Sequence, residues 1–155
     1  MIIKVKKLHE DAVLPKSANE TDAGFDLVAI DDGEEAETYI QYNTGIAVQP
    51  ENGYHTEIFP RSSISKTDLI LANSVGLVDN QYTGPVIVRF KVVPNQLIIN
   101  STFGHLFWNP TKYKKGDKIA QLVIRKTERA SFEWADSLSE TERGAGGFGS
   151  TDVPK

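Results

Sequence analysis

Asn73-Ser-Val-Gly-Leu-Val-Asp-Asn-Gln-Tyr-Thr-Gly84 stands between an apolar run, Leu69 to Ala72, and an alternating run, Val86 to Val93. In the second run Val86, Val88, Phe90 and Val92 share one face and Ile87, Arg89 and Lys91 the other, the two-residue period of a half-buried strand. The frame reads as strand, turn, strand, with Gly76 and Gly84 allowing tight backbone and Asn80 suited to the bend. On it sit one carboxylate (Asp79), one ring (Tyr82) and one amide side chain (Asn73). Such a set, beside exposed hairpin backbone, can recognise a flat polar ligand and attack it. Turns also favour Asp, Asn and Gly for conformational reasons alone, so this stretch by itself does not separate a site from a polar tip.

The same rhythm extends in both directions. Ile2 to Leu8 reads as a first strand, Phe25 to Ile30 as a second, and Tyr39 to Ile40 as the start of a third. Thr44 to Val48 and Tyr54 to Phe59 read as a pair turned by Pro50-Glu51-Asn52-Gly53, and Ile98 to Ile99, Ile119 to Ile124 and Ser131 to Trp134 complete the set. Seven prolines and twelve glycines punctuate these runs, which predicts an all-β sandwich, jelly roll or barrel. Only Ser62 to Leu69 has room for a turn or two of helix. Residues 1–136 are expected to form one all-β domain, with an aromatic excursion over about 94–115 that carries Phe103, Phe107, Trp108 and Tyr113. Residues 137–155 turn polar and then glycine-rich, and are expected to be flexible until something pins them. Trp108 and Trp134 are expected to pack in cores.

A chain of 155 residues with 39% hydrophobic and 25% charged residues has the balance of one soluble domain. Its net charge of −4 argues against a protein that coats nucleic acid, which needs a basic face to displace counterions, yet leaves room for a local basic pocket. There is no cysteine, so disulfides, thiol nucleophiles and thiolate metal sites are excluded. Neither a leader pattern nor an apolar run of membrane-spanning length occurs, and a cytoplasmic location with no membrane partner is expected.

Two further stretches carry chemistry. Arg143-Gly-Ala-Gly-Gly-Phe-Gly-Ser-Thr151 satisfies Gly-x-Gly-x-x-Gly, but a dinucleotide fold needs a strand before that pattern and a helix after it, and Pro154 follows instead. What remains is a run of amides with one guanidinium, one ring and two hydroxyls. These donors suit a polyphosphate, and Phe148 suits the face of a base. Pro60-Arg61-Ser62-Ser63 sits where a strand meets the helical turn, where Ser62 or Ser63 can cap and free amides favour phosphate. No Gly-x-Ser-x-Gly elbow surrounds these serines, and His9, His55 and His105 fit neither a triad nor a metal spacing.

Taken in order, Asp22-Ala-Gly-Phe-Asp-Leu27, Pro60-Arg-Ser-Ser63, Asn73 to Gly84, Gly116-Asp-Lys-Ile-Ala-Gln-Leu122 and Arg143 to Thr151 resemble the five motifs of the trimeric deoxyuridine triphosphatases (dUTPases). The resemblance implies a dUTPase-like β-clip or jelly roll and a homotrimer with three shared active sites. It also implies magnesium-assisted hydrolysis of dUTP to dUMP and pyrophosphate, which keeps uracil out of DNA and supplies dUMP for thymidylate synthesis. Carried onto matching positions, it makes Asp79 the base for the attacking water. Tyr82 becomes the ring packed on deoxyribose, while Asn73 with the backbone about Gly76 and Val78 becomes the uracil-recognising edge. Asp26 becomes the carboxylate that holds hydrated Mg2+. Arg61, Ser62, Ser63 and Gln121 become the phosphate contacts, and Arg143, Gly147, Phe148, Ser150 and Thr151 the closing tail.

The chain departs from that pattern at three places. Gln81 stands where many relatives carry an acid, Phe25 replaces a commoner tyrosine, and the span from Pro85 to Lys115 is longer than in most members, as in some phage-type ones. The excursion about 94–115 is therefore a candidate docking surface for another protein, which leaves a nucleotide-gated regulatory role as an alternative. A dCTP deaminase of the same fold is a second alternative, disfavoured by the Phe-containing glycine tail and the Val-Asp hairpin.

Overall fold

A computed structural model describes residues 1–93 and 111–147 of the chain. Two four-stranded antiparallel sheets face each other across one core, and a two-stranded ribbon completes the fold. The strands are β1 (Lys4–Lys7), β2 (Gly24–Val28), β3 (Glu34–Glu35), β4 (Ile40–Asn43), β5 (Ile46–Gln49), β6 (Tyr54–Pro60), β7 (Leu69–Leu71), β8 (Gly76–Val78), β9 (Ile87–Val92) and β10 (Lys118–Lys126). One sheet runs β2-β10-β6-β8, the other β3-β4-β9-β7, and β1 pairs with β5. The protein is an all-β sandwich of jelly-roll type, as its punctuation predicted.

The alternation of β9 survives in three dimensions. Val86, Val88 and Phe90 are buried, while Arg89 and Lys91 point to solvent. Phe90 is 0% exposed and meets Tyr42 edge-on at 5.9 Å and Tyr113 at 5.5 Å. Leu27, Ile119 and Leu122 of the facing sheet close the same cluster. Tyr42 donates its hydroxyl to the Tyr113 carbonyl at 3.1 Å, and burial pushes its pKa up to about 12.

The hairpin reading holds for the arms and changes at the tip. β7 pairs with β9, with Leu69 opposite Val92 and Leu71 opposite Phe90. Between them the chain crosses to the other sheet, where Gly76, Leu77 and Val78 pair with Ile58, Glu57 and Thr56 of β6. Two bends make the crossing, one with Ser74 in the left-handed region (φ 61) and one closed by Tyr82 N–H donating to the Asp79 carbonyl at 3.0 Å. A Cβ on Gly84 would lie 2.6 Å from the Tyr82 hydroxyl, so a larger residue there would have to displace the ring.

Several other expectations fail for physical reasons. Pro50 to Gly53 does turn the chain, with Tyr54 N–H donating to Glu51 O at 3.1 Å, but β5 and β6 do not pair with each other. β5 is buried at Ile46, Ala47 and Val48 and takes β1 as partner, while β6 is held between β10 and β8. Ser62 to Leu69 does hold a short helix, a five-residue 3-10 turn over Ser62–Lys66 that gives way to β7 at Leu69. Ser131 to Trp134 forms no strand, and both Phe132 (98% exposed) and Trp134 (104%) stand in solvent, so Trp134 is not a core residue of its own chain. Ile98 to Ile99, Trp108, His105 and most of the 94–115 excursion lie outside the described residues. Phe90→Ala should cost about 3–5 kcal/mol, because it empties the centre of the aromatic cluster. Urea unfolding checks this, and a loss under 1 kcal/mol would contradict the packing described.

Candidate active site

β10 lies between β2 and β6, which places Gln121 opposite Asp26 on one side and Phe59 on the other. Asp26 is 15% exposed and held from two directions. Arg61 Nε lies 2.7 Å from its Oδ1 and Lys118 Nζ 2.7 Å from its Oδ2. Arg61 Nη1 reaches the Ser63 hydroxyl at a long 3.5 Å, and Gln121 Nε2 donates to the Pro60 carbonyl at 3.0 Å. Asp26, Arg61, Ser63 and Gln121 therefore meet at one corner of the sheet. Ser62 and Ser63 do not cap: the residue preceding the 3-10 turn is Arg61, and no side chain bonds the turn's first amides. Their placement beside a guanidinium, rather than any helix terminus, is what suits this corner to phosphate.

Asn73, Gly76, Val78 and Tyr82 meet elsewhere, around a cavity of about 520 Å³ whose walls include Tyr39, Ile58 and Pro85. A Cβ on Gly76 would crowd the Asn73 amide at 3.3 Å, so a bare backbone there leaves the amide its position. Tyr82 is fixed by donating its hydroxyl to the Pro85 carbonyl at 3.0 Å, with half its surface exposed to the opening. Asp79 lines a neighbouring cavity of about 590 Å³ with His55, Asn80, Tyr82 and Thr127. Asn80 ties this turn to the body by donating to the carbonyls of Pro50 at 2.8 Å and Glu51 at 3.0 Å.

These two groups do not meet within one chain. Asp26 stands level with Phe59, whereas Asp79, one residue past Val78, stands level with His55. Three strand spacings across the sheet and four residues along it put their Cα atoms roughly 20 Å apart. Arg143 is on the exposed segment that follows β10, its Nε donating to Gly146 O at 2.9 Å. Gly147 is the last described residue, and Phe148, Ser150 and Thr151 lie outside the described residues.

Among the described residues no three His, Cys, Asp or Glu side chains cluster as a metal cage. Asp26 is a lone carboxylate whose two oxygens already take one cation each, which leaves lone pairs for water but no set of direct ligands. That donor set fits a hydrated magnesium carried by phosphate oxygens and not a protein-enclosed ion. Sequence reasoning gave Lys118 no role, although it lies inside Gly116 to Leu122. Its partner could be found only from the pairing of β10 with β2. Nor did it single out Tyr113, or His55, whose Nδ1 lies 2.8 Å from Thr127 Oγ1 in the Asp79 cavity.

An all-β sandwich with a cationic, hydroxyl-lined corner and a separate amide-lined cavity has the parts of a nucleotide hydrolase. The family model for dUTPase matches residues 10–152. The chain is 36% identical to the deoxyuridine 5'-triphosphate nucleotidohydrolase of Helicobacter pylori (strain Shi470), over all of this chain and 99% of that one. It is 39% identical to the enzyme of the same name from Thermobifida fusca, over 96% of this chain and 78% of that one. Among solved structures it resembles a variant of the Staphylococcus bacteriophage 80alpha dUTPase with dUpNHpp (TM-score 0.72, 26% identity, 98% of this chain and 99% of that one). It also resembles a dUTPase variant from phage phi11 described as coordinating a structural Mg(II) ion (TM-score 0.70, 25% identity, 90% of this chain and 100% of that one). The chain belongs to the dUTPase family and is a dUTP diphosphatase.

A Cβ on Gly24 would lie 2.3 Å from Gln121 Oε1, the movable end of a side chain. Gly24→Ala should therefore fold but push the Gln121 amide off Pro60. If the Gln121 amide is a phosphate contact, its displacement weakens binding of dUpNHpp roughly 10–100-fold. Calorimetric titration tests this, and unchanged affinity would remove Gln121 from the site.

Proposed function

We propose that the chain hydrolyses dUTP by in-line water attack at the α-phosphorus, in active sites shared between the copies of a homotrimer. The separation of Asp79 from the Arg61–Asp26 corner carries this reading. Hydrolysis needs the carboxylate that serves as base within one water of a phosphorus whose neighbouring groups the arginine holds, and one chain keeps the two at opposite corners of a sheet. The segment after β10 supports it as well. Phe132, Trp134 and Leu138 stand in solvent, as expected of an arm that covers its apolar side chains on a neighbouring copy.

In this reading Asp79 orients a water and takes its proton as the oxygen bonds to the α-phosphorus. The bond to the bridging oxygen breaks, and pyrophosphate leaves with that electron pair. Tyr82 packs on deoxyribose and leaves no space for a 2′-hydroxyl. Asn73 and the backbone about Gly76 and Val78 pair with the uracil edge, where cytosine presents reversed donors and acceptors, a mismatch that hydrogen-bonding sites penalise by roughly 10⁴–10⁵. Arg61, Ser62, Ser63 and Gln121 hold the phosphates. Asp26 would hold magnesium through the ion's water shell, and the ion supplies positive charge against the phosphates. Residues 1–136 act as the body and residues 137–155 as the closing tail, with Arg143, Gly147, Ser150 and Thr151 on phosphate and Phe148 over the base. The proposal has the enzyme work in the cytoplasm. No helix among the described residues is long and apolar enough to cross a membrane.

Pyrophosphate release should be strong with dUTP, far weaker with dTTP, dCTP and UTP, and dependent on added magnesium. Asp79→Asn should still bind dUpNHpp while turnover falls about 10²–10⁴-fold. Near-normal turnover of that variant would overturn the role of Asp79. A chain ending at Thr141 should keep its trimeric mass by light scattering yet lose nearly all activity. Full activity of that shortened chain would rule out the tail's role.

A further inference from the structure

Among the described residues, two buried side-chain oxygens lack a hydrogen-bond partner: Thr56 Oγ1 and the hydroxyl of Tyr113. The second is the more telling, because a phenylalanine would fill the same place without desolvating a hydroxyl. Tyr113 is 7% exposed, with its ring wedged between Phe90 and Tyr42 and its carbonyl taking the Tyr42 hydroxyl at 3.1 Å. The ring therefore cannot swing its hydroxyl out to water. Burial raises the phenol pKa, the Ser63 hydroxyl and the Arg61 charge act to lower it and the Asp117 charge to raise it, so the oxygen lies in the neighbourhood of Ser63 and Arg61. The Ser63 hydroxyl is near enough to be felt, but the pair falls short of hydrogen-bond geometry. Ser63 is itself poorly served, with Arg61 Nη1 at 3.5 Å.

We propose that Tyr113 is a positioning residue for the phosphate site: its buried hydroxyl donates to Ser63 Oγ once Arg61 and the Ser63 proton have turned to a phosphate oxygen. The serine oxygen then keeps a donor behind it while its own hydrogen faces the anion. This rests on Arg61-Ser62-Ser63 being the phosphate site. The buried hydroxyl has no partner among the described residues, and one gained as phosphate binds turns its desolvation penalty into a preference for the bound state.

Stability and binding must then move in opposite directions in Tyr113→Phe. Its melting temperature should equal or exceed that of the parent, its affinity for deoxyuridine should be unchanged, and the inhibition constant of pyrophosphate should rise about 3–10-fold, the effect of one neutral hydrogen bond. Ser63→Ala should weaken pyrophosphate comparably, and adding Tyr113→Phe to it should do no further harm. An unchanged inhibition constant in Tyr113→Phe, or a fall in melting temperature with equal loss of deoxyuridine, would overturn the proposal. Arg61→Ala separates the two levels of inference. If it too leaves pyrophosphate inhibition unchanged, the phosphate assignment fails; if it alone weakens inhibition, only the role of Tyr113 does.

Discussion

Gln121 can reach Pro60, and Lys118 can reach Asp26, because β10 is held in one register between β2 and β6. A slip of one residue would turn Gln121 toward the core and Leu122 toward the Arg61–Asp26 corner. The register is secured from behind by Ile119, Ala120 and Leu122, all buried in the sandwich. It is also broken once, deliberately. Pairing with β2 shifts between Lys118 and Ala120, and such irregularities re-aim side chains at the ends of strands. Here the shift leaves both Ile119 and Ala120 buried and carries Lys118 to the far oxygen of Asp26.

The ion pairs at that corner contribute orientation more than stability. Arg61 and Lys118 are partly exposed, and water screens pairs of this kind until each adds little to folding. Their effect is to hold a carboxylate and a guanidinium in fixed directions before any ligand arrives. The Lys115–Asp11 pair at 2.6 Å is more exposed still; it raises the lysine pKa and lowers that of the aspartate, and it ties the first loop to the turn before β10 without much energy. Stability comes instead from the core, where the aromatic cluster meets Leu27, Ile119 and Leu122 of the facing sheet. That cluster is also where polarity is buried, with Tyr42 paired to a carbonyl and Tyr113 not paired at all.

The sequence was informative wherever one face of an element decides its fate. The period of two over Val86 to Val93 gave β9 and its buried face, because each side chain there lies either in the core or in water. It was poor wherever pairing partners are distant along the chain. β5 and β6 are adjacent in sequence and joined by a good turn, yet each bonds to a strand about 40 or 60 residues away, which no local pattern encodes. Trp134 misled because an apolar side chain was read as a core side chain, whereas it stands outside its own fold. At the site, residue types were legible and neighbours were not. Asp79, Asn73 and Tyr82 could be named from their hairpin, but the double hold on Asp26 and the stranded hydroxyl of Tyr113 depend on contacts between segments far apart in the chain.

That Asp26 and Asp79 occupy opposite corners of one sheet has a consequence for how such a catalyst controls water. A carboxylate placed beside the cations of the Arg61–Lys118 corner is paired by them, as Asp26 is. Asp79 stands on a separate element with no salt-bridge partner among the described residues, and in the proposed reading it meets phosphate held by a neighbouring copy. If the site is built that way, nucleotide and assembly are thermodynamically linked, because a ligand that touches two copies stabilises their association as it binds. The base is then kept apart from its substrate's counter-charges by the same division of labour that makes one chain incomplete.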